Sequence, residues 1–170
     1  QMEPRCSKQS PNIWGPKLAA VALGVARDAI ERFIRLSTEK KPSRMNSLLA
    51  TQDVVQKTVG EAEGMLRYGR AFMMETIDAM WKLLGAGKPV PLHLAAMNRL
   101  ACATAVQQAI KATDLMLGAA GATSIYATSR LERCFRDVHI VAQHGVVGPT
   151  NIMFAGRAML GLTPEGAFPP

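Results

Sequence analysis

The chain has 170 residues, 48% hydrophobic and 19% charged, which suffices for one domain with a substantial core and excludes a disordered chain. Its net charge of +7 is spread along the sequence, densest at Lys40, Lys41 and Arg44 and at Arg130, Arg133 and Arg136. With no long basic run and no aromatic RNA-binding motif, nucleic acid is not an expected partner, and no stretch of about 18 apolar residues exists to form a transmembrane helix.

Residues 1–12 are polar, carry Pro4 and Pro11, and read as a lead-in. The spacing predicts a first helix over Pro16 to Glu39, with Leu18, Val21, Ala22, Val25, Ala29 and Phe33 at three- and four-residue steps. Pro16 suits the first turn, and Lys40, Lys41, Pro42 and Ser43 break the pattern. A second helix is expected from Thr51 to Leu84, about 50 Å long. Its stripe is Val55, Val59, Ala62, Leu66, Met73, Ile77, Met80 and Leu84, with Lys57, Glu61, Arg67 and Arg70 on the other face.

A third, Ala-rich helix follows from Leu92 to Leu117, with Met97, Ala101, Ala105, Ala112 and Leu115 on its packing face. Gly118 to Gly121 is expected as a turn. A fourth helix is read over Ser129 to His144 and a short fifth over Asn151 to Leu160. No strand pattern of useful length appears. The fold class is therefore all-α, an antiparallel up-down four-helix bundle with a short extra C-terminal helix.

Cys6, Cys102 and Cys134 are odd in number and widely spaced, which points away from a disulfide framework or a zinc site and toward reduced thiols. There is no Walker loop, no His-Glu-x-x-His pair and no Gly-x-Ser-x-Gly elbow. Chemistry concentrates in residues 118–161. On the fourth helix Arg133, Asp137, Ile140 and His144 share one side, while Leu131, Phe135, Val138 and Ala142 can face the core. Arg133 and Asp137 are four apart and can pair. By geometry alone they read as a structural ion pair with His144 closing a helix, or as parts of a site in which His144 titrates near neutral pH or donates a hydrogen bond.

The run Gly118-Ala119-Ala120-Gly121-Ala122-Thr123-Ser124-Ile125-Tyr126 leads into Ser129, Leu131, Arg133, Phe135, Arg136, Asp137, Val138, His139 and His144. It resembles the C-terminal domain of the two-component (group D) flavin-dependent monooxygenases, which are similar in fold to acyl-CoA dehydrogenases. The segment Ala22-Leu23-Gly24-Val25-Ala26-Arg27 resembles the first bundle helix of that family. The resemblance implies a flavin cofactor, reduced FAD or FMN, supplied by a separate flavin reductase. It also implies O2 as co-reactant through a flavin C4a-hydroperoxide, and a small aromatic or heterocyclic substrate.

His144 matches the family's histidine that forms and stabilises that peroxide, where a donor aimed at developing charge lowers the barrier. The matching flavin-binding positions are Arg44, Gln52, Gly118, Ala119, Ser124, Tyr126, Arg133 and Asp137. Arg44 and Gln52 flank the segment where relatives touch the flavin phosphate of a neighbouring subunit. The chain departs from the pattern in two places. Ala119-Ala120 separates glycines that are adjacent in many relatives, and the dehydrogenases' Arg, Phe and Gly pattern near the second helix is missing.

Aligned on Arg136-Asp137, the position of the dehydrogenases' catalytic Glu is held here by Gly145. That favours the monooxygenase branch over an acyl-CoA dehydrogenase or oxidase; a non-catalytic helical oligomerisation module is the third reading. The family's N-terminal helical and middle β domains have no counterpart, so residues 13–170 are expected to be one domain of a longer cytoplasmic enzyme, inactive alone. Relatives form tetramers through this domain, which implies a homo-oligomer, tetramer or dimer.

Overall fold

The computed structural model describes residues 11–43 and 46–162, apart from the side chains of residues 11 and 12. The chain folds as α1 (Pro11–Glu39), a 3-10 turn (Leu49–Thr51), α2 (Asp53–Gly85), α3 (Leu92–Ala120), a second 3-10 turn (Gly121–Ser124), α4 (Arg130–Ala142) and α5 (Thr150–Met159). The all-α class expected from the sequence is what forms, with no strand among the described residues.

The third helix is the centre of the molecule. It packs against α1, α2, α4 and α5, while α2 and α4 each touch α1 and α3 but not one another. Such a helix must be buried on most of its circumference. The sequence meets this with small side chains: Ala96, Ala101, Ala103, Ala105, Ala109, Ala112 and Ala120 are all fully buried. Met97 and Leu115, expected on its packing face, are half-buried instead.

Small residues also set the closest helix approach. A Cβ built on Gly69 of α2 would stand 3.0 Å from the Cα of Ala105 and 3.5 Å from its Cβ. One end further along, Asn98 donates from Nδ2 to the Thr76 hydroxyl at 3.1 Å, and that hydroxyl donates to the Met73 carbonyl at 2.9 Å. Both side chains are buried, so this pairing avoids the cost of an unsatisfied polar group. These contacts join late α2 to early α3, so the two helices run in opposite directions. By contrast, Gly15 of α1 approaches Cys102, and Lys40 reaches Ala120, so α1 and α3 run in the same direction.

Ion pairs tie the outer helices to α1. Arg27 binds Glu63 of α2 through its two terminal guanidinium nitrogens, at 2.7 and 3.0 Å. The hydrogen bond from Arg27, against the cost of burial and aided by Arg67, holds the Glu63 carboxyl down at about 2. The unfolded value is about 4.3, so this pair's stabilisation is complete above that pH and fades as pH falls toward 2. On the other flank Asp28 accepts from Arg130 of α4 at 2.8 Å, from Arg32 at 3.0 Å and from the Cys134 thiol at 3.5 Å. Burial alone would raise the Asp28 carboxyl, but these donors together keep it below its ordinary value. Burial, then the neighbouring Asp28, pushes the Cys134 thiol up to about 11, and burial pushes Cys102 up to about 12.

Several boundaries differ from the sequence reading. The first helix begins at Pro11, five residues early, so Pro16 lies inside it and removes one backbone donor near the helix start. Gly118, Ala119 and Ala120 continue α3 instead of turning. The chain turns at Gly121, whose φ of 62° suits a residue without a Cβ. The fourth helix ends at Ala142, leaving His144 in the turn beyond its cap. The α2 stripe also loses its burial toward the C-terminus, where Leu84 is exposed.

The close approach at Gly69 gives two substitutions opposite signs. Gly69→Ala adds a Cβ against backbone, and the overpacking outweighs the gain in helix propensity, so unfolding free energy falls by roughly 1 kcal/mol. Gly24→Ala on α1, where a Cβ meets nothing within 4 Å, raises it by about 0.5–1 kcal/mol. Urea unfolding of both variants measures the contrast.

Candidate functional site

An open cleft of about 680 Å³ lies between the start of α2 and the C-terminal half of α3. Leu49, Val54, Val55, Met65 and Leu115 give it apolar walls, and Gln52, Thr58, Glu61, Lys111 and Asp114 supply polar groups. Gly118 and Ala119 close it at the end of α3. A Cβ at Gly118 would meet nothing within 4 Å, so glycine there leaves room for a ligand. Apolar walls with a few convergent polar groups suit a planar heteroaromatic ring, and the Lys111 ammonium suits an anionic substituent.

Lys40 braces this end of the bundle. Its ammonium donates to the Ala120 carbonyl at 2.8 Å and to the Thr123 hydroxyl at 2.7 Å. A cation at a helix C-terminus satisfies a carbonyl with no partner within the helix. The Lys40 carbonyl in turn accepts from the backbone N–H of Leu49, a cleft residue, at 2.9 Å. One lysine thus links α1 to both walls. In the sequence Lys40 stands out only as a basic residue that ends a helical pattern; its position directly after the helix is the signal for this brace.

Three residues expected at a flavin site, Gln52, Gly118 and Ala119, therefore share the cleft. Ser124 and Tyr126 lie just beyond it in the chain. Ser124 is buried, and its hydroxyl can donate to the carbonyl of Gly121 (2.7 Å) or Leu117 (3.1 Å), so it closes the turn. The Tyr126 ring is exposed. Arg133 and Asp137 form an exposed pair along one face of α4, with Nε and Oδ2 3.6 Å apart. Arg44 lies outside the described residues.

A missed group is His139. Its Nδ1 lies 2.8 Å from the Phe135 carbonyl and so carries a proton toward it in the fitting tautomer, while Nε2 stands 3.7 Å from Asp114 of the cleft wall. Burial raises the Asp114 carboxyl, and the charge of His139 opposes that rise. Its partner, Asp114, lies on another helix, so spacing along α4 gives no sign of it.

His144 sits at the other end of the bundle. The carbonyl of Val146, two residues on, comes within 3.6 Å of a Cβ built on Gly15, which also meets Cys102. A rise of about 1.5 Å per residue puts roughly 24 Å along α3 between Cys102 and Gly118. The His144 loop is held firmly: Asn151 donates to the carbonyls of Gly145 (2.8 Å) and Gly148 (3.0 Å), and Val147 is buried. The imidazole is exposed, and its Nδ1 accepts from the Val146 N–H at 3.3 Å. The neutral ring then carries its proton on Nε2, as a donor. Among the described residues no group of His, Cys, Asp and Glu could hold a metal ion, and no helix is long and apolar enough to cross a membrane.

Comparison with known proteins places these features in a family. The family model described as acyl-CoA dehydrogenase, C-terminal domain, matches residues 17–149. Indole-3-acetate monooxygenase of Pseudomonas putida is 32% identical over 147 residues, covering 86% of this chain and 38% of its own length. The oxygenase component of p-hydroxyphenylacetate 3-hydroxylase from Acinetobacter baumannii is 30% identical, covering 86% of this chain and 35% of its own. The structure of XiaF from Streptomyces sp. in complex with FADH2 and glycerol superposes with a TM-score of 0.89. It is 17% identical, and the match covers 98% of this chain and 42% of that one. The chain thus spans well under half the length of these relatives.

Removing the Lys40 brace should loosen the cleft locally. Lys40→Met is expected to cost about 1 kcal/mol in protection at the amides of Leu49 and residues 121–124, with the centre of α3 unchanged. Hydrogen exchange resolved by residue measures this.

Proposed function

The chain belongs to the family of acyl-CoA dehydrogenase C-terminal domains, and from that premise we propose that it is the flavin-facing helical domain of a flavin-dependent monooxygenase. The observation that carries the reading is the cleft in which Gln52, Gly118 and Ala119 meet. Its apolar walls fit a flavin's ring system or adenine, and Lys111 fits a phosphate. The flavin, when bound and reduced, supplies the electrons that activate oxygen. This chain's residues bind it, shield it from water and offer one proton donor, the Nε2–H of His144.

The cleft and His144 lie at opposite ends of one bundle, too far apart to border one ring. Two copies resolve this, with the cleft of one and His144 of another facing the same flavin. A homo-oligomer, dimer or tetramer, is therefore part of the proposal. The helical bundle, whose first helix begins at Pro11, is proposed as one domain of a longer, cytoplasmic polypeptide. Arg44, Ser124, Tyr126, Arg133 and Asp137 remain proposed positions around the flavin; the structure gives Ser124 a role in the turn as well.

The names of the relatives, indole-3-acetate monooxygenase and p-hydroxyphenylacetate 3-hydroxylase, oxygenase component, suggest a small aromatic substrate for this chain too; the second name implies a further component, and a flavin reductase is the partner we propose. The second reading is an acyl-CoA dehydrogenase or oxidase. Gly145, at the position of the dehydrogenases' catalytic carboxylate, argues against it, and the exposed His144 beside it favours oxygen chemistry.

The binding test uses the full-length polypeptide that contains this sequence. Gly118→Leu fills the cleft without breaking α3, and should raise the dissociation constant for reduced FAD or FMN by tenfold or more, a loss of about 1.4 kcal/mol. Unchanged affinity for both flavins would remove the cleft from the site. Reduction of bound oxidised flavin by an acyl-CoA would favour the dehydrogenase reading.

A further inference from the structure

A second groove lies between the middle stretches of α1 and α2. It holds about 570 Å³ and shares no lining residue with the flavin cleft. Its floor is apolar, with Leu23, Leu66 and Met73 all buried. Gly24 stands on the α1 side, where a Cβ would meet nothing within 4 Å, so that helix leaves the groove open. Methionine is unbranched and polarisable, so Met73 and the half-buried Met74 can adapt to a bound chain.

The rest of the lining is basic. Arg27, Arg67 and Arg70 all border the groove, and no acidic residue does. Glu63, beside it, answers two of the three. It receives both terminal nitrogens of Arg27 and, at 2.6 Å, the Nε of Arg67. Glu31 adds a smaller attraction for Arg27. Three guanidinium groups against two carboxylates leave an excess of positive charge over an apolar floor. The Arg67 side chain is 79% exposed, so its terminal N–H groups stay available. Arg70 is exposed and makes no ion pair with another described residue.

Arg67 and Arg70 are one turn apart on α2, where like charges repel. An anion between them removes that repulsion and gains charge-assisted hydrogen bonds. A carboxylate suits the site best, because its two oxygens match the parallel N–H groups of a guanidinium. From Arg67 to Met74 is roughly 10 Å along the helix. A head group on the two arginines therefore leaves a straight tail running toward the methionines.

We propose that this groove binds an amphipathic carboxylate, its head group on Arg67 and Arg70 and its alkyl tail over Leu23, Leu66, Met73 and Met74. This second site goes beyond the flavin reading and does not rest on it.

Calorimetry on the full-length polypeptide that contains this sequence tests it, with decanoate below its micelle concentration as the probe. Decanoate should bind. Acetate, which lacks the tail, and decanol, which lacks the charge, should each bind at least about tenfold more weakly. Acetate binding as tightly would reduce the groove to a plain anion site, and decanol binding as tightly would reduce it to an apolar slot; either result overturns the proposal. Arg70→Gln removes one head-group donor, and Gly24→Leu fills the groove from α1. Each should raise the decanoate dissociation constant by about tenfold or more. Both positions are exposed, and thermal unfolding checks that the variants are folded. Saturating FAD should leave decanoate affinity unchanged, whereas competition would move decanoate to the flavin cleft. Absence of decanoate binding, or binding that neither substitution weakens, would also overturn the proposal.

Discussion

Everything in this fold depends on α3 being narrow enough to be surrounded. A helix touched by four others keeps only a narrow exposed stripe, at Gln107, Lys111, Asp114 and Gly118, for long polar side chains, and elsewhere it can carry few bulky ones. Alanine at its contact positions lets the backbones close in, to the point that Gly69 of α2 faces the Ala105 backbone with no space for a methyl group. Two larger apolar residues of α3, Met116 and Val106, are fully buried beside these alanines. The polar exception, Asn98, is accommodated because Thr76 answers it from the facing helix.

That central helix also sets the geometry of function. Its C-terminal half is one wall of the cleft, and its N-terminal half backs the loop of His144. As one continuous helix packed by four others, it holds the two roughly 24 Å, about four and a half turns, apart. The ion pairs at Glu63 and Asp28 fix α2 and α4 against α1, so neither flank can swing to bring them together. A flavin that uses both must be shared between copies.

Much of the fold was legible in the sequence. Periodic apolar residues located five helices, and the Ala content of the third announced close packing. The errors fall where local signals compete with tertiary contacts. Pro16 reads as a helix start, but the helix extends upstream to Pro11, where buried Gly15 packs against Cys102 and the Val146 carbonyl. Two glycines around Ala119-Ala120 read as a turn, although only Gly121 takes a positive φ, and Lys40 from a distant segment holds the last helical carbonyl in place. At the site, the grouping of Gln52 with Gly118 and Ala119 followed from resemblance. The distance of His144 from that group, and the approach of His139 to Asp114, depend on how whole helices stack and leave no trace in local spacing.

The central claim is that the cleft and His144 serve one flavin from two copies of the chain. Mixing two defective full-length variants tests it most directly. Gly118→Leu blocks the cleft, His144→Ala removes the proton donor, and each alone should lack the parent's reaction of bound reduced flavin with oxygen. If the site is shared, exchange of subunits creates pairs in which one of two sites is intact, and a phase with the parent's kinetics should return on rapid mixing with oxygen. Absence of that phase, with subunit exchange verified, would contradict the account, because it would mean that both residues act within one chain or that one of them has no part in the reaction.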